Sequence, residues 1–297
     1  MLDTVTPVKI SLFSNVLNAV LDPIFIFVAS MGVSGAALAT LMAEITAGLS
    51  YLVIMRRKQM IRLRKIFRLP RWEQLEPLLK GGAALQLRNF ALNLTFLAVT
   101  RVTQSIDETG VAAAAHALAI QTFQVGGIVL LALSTVAQAV VPNELVEKYD
   151  AESGKTTGGL HAAKAVVNRL MSWGLVLGFL LGSLQIVVLP FLHKATPMQE
   201  VRDAAKLPSY LASIYQTING LVFIGEGVMV GTGSFLQLSL STVVATAGCL
   251  YALKTLPQRF GLAGVWLGFG VFNMIRLGGV WLHQTYTGPL APKKLQT

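Results

Sequence analysis

Gly32-Val33-Ser34-Gly35-Ala36-Ala37-Leu38 and Gly261-Leu262-Ala263-Gly264-Val265-Trp266-Leu267 are one pattern written twice. Each Gly-x-x-Gly follows a brief turn and opens an apolar helix, so the chain carries one hairpin in duplicate. A duplicated hairpin in a hydrophobic chain is the mark of a transporter assembled from structural repeats. Four more apolar runs lie between the basic stretch after the first hairpin and the start of the second. Two complete halves would also place four runs ahead of the first hairpin, which here begins near residue 8. The expectation is a six-plus-six architecture lacking its first four spans.

Composition sets the solvent. Hydrophobic residues make up 54% of the chain, charged ones only 13%, and the mean hydropathy is +0.62, outside the range of soluble globular domains. The chain reads as an integral membrane protein. Its net charge of +10 does not signal nucleic acid, because much of the excess falls in one block, Arg56, Arg57, Lys58, Arg62, Arg64, Lys65, Arg68, Arg71 and Lys80, directly after an apolar run. That is how a cytoplasmic loop is labelled, and no RNA-binding motif accompanies the patch. The lone Cys249 allows no disulfide within the chain. With His116, His161, His193 and His283 scattered, no metal spacing occurs. No metal and no cofactor are expected. Met1 to Lys9 holds Asp3 and Pro7 and does not read as a cleavable leader.

Apolar runs of about 20 residues fall near 8–29, 33–55, 79–102, 111–141, 162–192, 207–230, 235–256 and 262–282. The fold class is therefore an all-α polytopic membrane protein with about eight transmembrane helices. The fourth and fifth runs exceed the hydrocarbon thickness and are expected to tilt or extend into water. Alternating the loops places 56–80, the loop around Lys148 to Lys164 and the Lys293-Lys294 end on one side, read as cytoplasmic. Asp107-Glu108 falls on the other, and only the turn from Lys254 to Arg259 breaks the positive-inside pattern. Within the basic loop, Lys58 to Leu69 interleaves Ile61, Leu63, Ile66 and Phe67 with Arg and Lys, the pattern of an amphipathic helix on the lipid surface.

Polar residues inside spans are expensive and mark an interior: a charge near the bilayer centre costs roughly 2.5 to 3.5 kcal/mol by insertion scales. On the first span Asn15, Asn18 and Asp22 share one helical stripe, and Pro23 frees a carbonyl one turn earlier. That stripe fits a cavity wall and a packing seam equally well. Glu226 is sharper, lying deep in a span between Gly225 and Gly227, which let a neighbour approach closely. A carboxylate so placed is a candidate for proton exchange, and Arg88 is its candidate counter-ion. Asn89 and Asn93 beside Arg88, with His116, Gln121, Gln124, Tyr215 and Asn219 on other spans, are candidate cavity residues, though helix packing competes for each. Glu44, Arg101 and Arg276 are ambiguous, the two arginines being placed where they could snorkel to an interface.

These residues resemble the multidrug and toxic compound extrusion (MATE) transporters, in particular the DinF-like branch that includes plant plastid DETOXIFICATION-type proteins. Asp3-Thr4-Val5-Thr6-Pro7 looks like the family's loop before its fifth helix. Asn18 to Pro23 and the following Gly-x-x-Gly-Ala resemble its fifth and sixth helices. Arg88 with Ala91-Leu92 resembles the seventh, with Asn89 in place of a threonine, and Ala115-His116 resembles the eighth. Gly225-Glu226-Gly227 through Gly231 to Phe235 is similar to the tenth, and Gly261 to Leu277 to the twelfth. Ser234 stands where an acidic residue is common, and the acidic residue that many members use on their first helix has no counterpart in this sequence.

The resemblance implies a partial two-lobe, MATE-like bundle. Residues 1–56 would hold the last two helices of one lobe, 57–80 a basic linker, 81–284 a six-helix lobe and 285–297 a cytoplasmic tail. It further implies an antiporter that exports an organic solute against protons or sodium by alternating access, as a monomer in a plasma or organelle membrane, the plastid included. Glu226, Arg88 and Asp22 would serve coupling. A lipid-linked saccharide flippase of the same superfamily is an alternative that wants a more cationic lumen. A non-transporting fragment is another, since two helices alone would leave their polar stripe unpartnered. An intramembrane enzyme is not expected, because no nucleophile with a base and no metal cluster is in view.

Overall fold

The computed structural model describes residues 5–61, 71–150, 155–194 and 196–294. Seven α-helices occupy them: α1 (Val5–Pro23), α2 (Val33–Arg57), α3 (Trp72–Gln104), α4 (Val111–Leu145), α5 (Leu160–Lys194), α6 (Gln199–Gly231) and α7 (Phe235–Leu282). The last is two helices joined across a bend at Gly261, so the eight expected runs all fall on helix. Five helical elements, the bent one included, are long and apolar enough to cross a membrane. α3 and α6 fall short of that measure because they carry Arg88, Asn89 and Asn93, and Gln216, Asn219 and Glu226, among which are members of the site described below.

The chain divides into two compact units at Leu75/Glu76. That division lies inside the stretch read as a linker, and α3 is already helical from Trp72. Most of the expected amphipathic helix, and the start of the Asp3-to-Pro7 motif, fall outside the described residues.

In the first unit α1 continues past Pro23 as a π-turn, Ile24–Val28, since proline cannot donate to the regular ladder. The chain reverses at Gly32, whose φ of 55° and ψ of −131° suit only glycine. Gly35 lets α2 close on that turn, because a Cβ there would lie 2.7 Å from both the carbonyl carbon and oxygen of Phe25. Ser14 then donates to the Ala43 carbonyl at 3.0 Å, with Ala39 and Ala43 forming the flat buried face of α2.

The second unit is a bundle centred on α6. Gly174, Gly178 and Gly182 make a bare stripe along α5. Each admits α6 so closely that a Cβ would meet a backbone oxygen of Gly220, Gln216 or Ser213 at 2.4 to 2.5 Å. Where the lipid offers helices no hydrophobic drive to associate, such close backbone packing is what holds them together. On the opposite side of α6, Phe123 of α4 and Trp266, Phe269 and Phe272 of α7 form an aromatic core with Tyr215. The outward faces of α4 and α5 stay apolar, with Ile128, Trp173, Phe179, Val187 and Phe191 exposed, as lipid requires.

Two details at one end of the bundle go beyond the expected helices. Lys148–Asp150 and Lys155–Thr157 pair as a small antiparallel ribbon. The segment read as a cytoplasmic tail packs on the bundle: a π-turn, His283–Thr287, leads to Leu290, which is 1% exposed among Val141, Ala163, Val167, Ile224 and Val228.

Candidate functional site

Glu226 stands where α4 and α7 both close on α6. Gly225 presses on Val280 of α7, and Gly227 on Ser134 of α4, where a Cβ would lie 2.5 Å from the carbonyl oxygen. The carboxylate between them is 5% exposed. Arg276 of α7 grips it through two guanidinium nitrogens, Nε to Oε1 at 2.7 Å and Nη2 to Oε2 at 2.9 Å. Its Nη1 donates to Asn273 Oδ1 at 3.4 Å, and the rings of Phe272 and Phe223 stand 5.1 and 5.6 Å from the guanidinium carbon. Paired, hydrogen-bonded and stacked, Arg276 has every feature that fixes a buried arginine in place.

Arg88 reaches the same carboxylate from α3, Nη2 to Oε2 at 2.5 Å. It is held far less: its Nε is buried with no partner, and its side chain is 21% exposed against 6% for Arg276. The expected pair of Glu226 and Arg88 is thus a cluster of three, and Arg276 is no snorkelling residue but its fixed member. The other ambiguous residues, Glu44 and Arg101, are exposed.

A cleft of about 500 Å³ opens between α3 and α4, lined by Asn93, Phe96, Thr100, Thr103, His116 and Gln124 among others. Asn93 also ties back to the preceding turn of α3 by donating to the Asn89 carbonyl at 3.0 Å. His116, 6% exposed, leans on the Trp266 ring at 5.7 Å and keeps Nδ1 without a partner.

Other candidate residues lie elsewhere. Gln121 borders a second, apolar groove with Leu118, Val125, Leu184 and Val188. Tyr215 is a packing residue whose hydroxyl donates to the Trp266 carbonyl at 2.9 Å. Asn219 is fully buried in the helix interior. In the first unit Asn15 is exposed, Asn18 donates to Thr40 Oγ1 at 3.4 Å, and one buried oxygen of Asp22 has no partner. Sequence reasoning misses Thr100, Thr103 and Gln104 in the cleft, and Asn273 beside Arg276, although an i, i+3 pair of polar residues in an apolar run is there to be read. Among the described residues no three His, Cys, Asp or Glu converge as a metal site.

Set beside known proteins, the chain is 30% identical over 291 residues to Protein DETOXIFICATION 44, chloroplastic, of Arabidopsis thaliana, and 28% identical over 293 residues to DNA damage-inducible protein F of Escherichia coli. These alignments cover 97% and 95% of this chain but 52% and 60% of the relatives, so the chain spans little more than half their length. A crystal structure of a MATE transporter in a bent conformation matches 97% of the chain and 63% of its own, with a TM-score of 0.78 at 18% identity. In sequence and in fold the likeness is to the MATE transporters. No protein-family model matches the chain. That likeness, with its several membrane-capable helices, makes it an integral, multi-pass membrane protein. The charge cluster and the cleft lie in a bundle of MATE-like fold.

Proposed function

We propose that the protein is a cation-coupled secondary antiporter that exports an organic solute in exchange for protons or sodium by alternating access. Glu226 is its exchanging group, Arg88 the movable partner and Arg276 the fixed one. The observation that carries this reading is the asymmetry of the cluster, a buried carboxylate clamped on one side and held by a single, partly exposed arginine on the other. A coupling group needs a neighbour that can leave. When Arg88 swings away, Glu226 loses one of two cations, and its affinity for a proton changes with conformation. Asn93, His116 and Gln124 offer hydrogen bonds to a solute in the cleft, and Asp22 is the corresponding acidic residue of the first unit. The cleft lining contains no charged residue, which favours a small organic solute over a lipid-linked saccharide phosphate.

The test is pH-gradient-driven efflux from proteoliposomes. Glu226→Gln keeps size and hydrogen bonding but cannot exchange a proton, so flux is expected to fall to background while the protein still purifies as a folded species. Wild-type flux retained by Glu226→Gln removes that residue from coupling. Absence of flux from the wild type overturns the transport reading for this chain.

A further inference from the structure

The cluster is not neutral. Arg88 and Arg276 bring two positive charges to one carboxylate, and among the described residues no other acidic side chain pairs with either. A net cation inside a membrane bundle is costly, and the cost is not spread evenly. Arg276 has its Nε and Nη2 on Glu226, its Nη1 on Asn273 and an aromatic ring to each side. Arg88 makes one bond to an oxygen already shared with Arg276, and leaves Nε buried and unpartnered. We propose that Arg88 forms an anion site: the donors it does not spend on Glu226 bind a carboxylate or a halide, which neutralises the cluster.

Three features of the cluster fit this ligand and not a metal cation. Both carboxylate oxygens are occupied by guanidinium donors. The vacant polar group is a donor, and the fork geometry of a guanidinium matches an oxyanion. The Arg88 side chain stays 21% exposed, so an anion can reach it, and its helix neighbours Asn89 and Asn93 are polar and uncharged. The anion has two sources, a carboxylate on the exported solute or a small anion from bulk, and both present the same chemistry to Arg88. The first of these rests on the transport reading above; the site itself does not.

The experiment is a binding titration that needs neither gradient nor flux. The purified protein in detergent is titrated with sodium chloride, and separately with sodium acetate, at constant ionic strength over sodium isethionate, with thermal melting as the readout. At least one anion is expected to raise the melting temperature saturably. Arg88→Gln is expected to weaken it about tenfold or more, and Glu226→Gln, which removes the internal competitor, to tighten it by a similar factor. Stabilisation by both anions identifies bulk halide as a sufficient ligand; stabilisation by acetate alone identifies a solute carboxylate. If Arg88→Gln does not fold, Arg88→Lys replaces it, retaining the charge without the fork and binding acetate more weakly than wild type. No saturable response to either anion, or equal affinities in wild type, Arg88→Gln and Glu226→Gln, overturns the site. Anion binding without driven flux would leave the site standing and remove only the transport reading.

Discussion

The turn at Gly32 and the bend at Gly261 share one backbone, with φ and ψ of 55° and −131° in the first and 55° and −134° in the second. The helices they open differ in how much they bury. After Gly32, α2 buries only Gly35, Ala39 and Ala43. After Gly261, α7 buries Gly264, Val265, Trp266, Phe269, Phe272, Asn273, Arg276 and more. The same separation from the turn that gives exposed Glu44 in the first hairpin gives fully buried Asn273 in the second. A Gly-x-x-Gly therefore specifies the reversal and the close approach of two helices and nothing about the chemistry beyond. The second hairpin acquired an ion cluster because its polar residues found partners on α6 and α3.

The polar residues supply the largest effect by which to break that contrast. Arg276→Ala removes the fixed guanidinium and exposes Glu226 to a single cation. Breaking a buried pair on one side costs about 3 to 5 kcal/mol, reduced to the extent that Glu226 takes up a proton. Arg88→Ala is expected to cost less, since Arg88 is more exposed and makes one bond. A double-mutant cycle between Arg88 and Glu226 should give a non-zero coupling. In the first hairpin Asp22→Asn is expected to be neutral or stabilising, because its buried oxygen has no partner to lose. Melting temperatures of the purified variants decide it. A loss at Asp22→Asn equal to that at Arg276→Ala would mean the first hairpin holds an ion partner too.

This difference also marks where the sequence stops being informative. Helix positions were legible because apolar runs have the length a bilayer demands, and the duplicated glycine pattern located both reversals. Glu226 and Arg88 were legible because charges inside spans are few. Arg276 was not: near the end of an apolar run a long basic side chain has a cheap route to the interface, and no linear spacing connects position 276 with 226. Tyr215 and Asn219 looked like cavity residues for the converse reason, since a polar side chain on a span says that it avoids lipid and not whether it meets a solute or another helix. The glycine stripe at 174, 178 and 182 was present at regular four-residue spacing, but its meaning depends on which helix lies opposite.

The second way to sharpen the comparison adds a methyl group at the close approach in each hairpin. At Gly264 a Cβ would stand 2.2 Å from the Leu256 carbonyl oxygen, and at Gly35 it would stand 2.7 Å from that of Phe25. Backbone atoms cannot rotate out of the way, so Gly264→Ala is expected to cost about 1 to 3 kcal/mol, the range of an overpacked core. Gly35→Ala should cost less, both because the approach is longer and because few buried residues depend on it. The turn glycines provide the control. A Cβ at Gly32 or Gly261 meets nothing within 4 Å, so alanine there incurs only the strain of a positive φ. The two losses should match. Unequal losses at Gly32 and Gly261 would show that the turns are not one structural unit used twice.

The smallest effect tests an alternative way of starting a helix. α2 begins at Gly32 without a side-chain cap, whereas α4 begins under Asp107. One oxygen of Asp107 accepts from the Ala112 N–H at 2.9 Å, and the other from the Gly110 N–H at 2.8 Å and the Thr109 hydroxyl at 3.2 Å. These donors, the Ala112 amide first among them, hold its carboxyl below the ordinary aspartate value of 3.8, although the residue lies in solvent. Linkage sets the sign: a carboxyl more acidic in the folded state adds stability above its unfolded value, and that increment is lost as pH falls through 3.8 toward the folded value. Melting temperature measured from pH 6 downward should therefore drop slightly more steeply for wild type than for Asp107→Asn below about pH 4. The two profiles should run parallel above it, since the amide neither titrates nor gains from the charge of the helix terminus. Parallel profiles throughout would mean the loop is held by its backbone turn alone, as the glycine hairpins are.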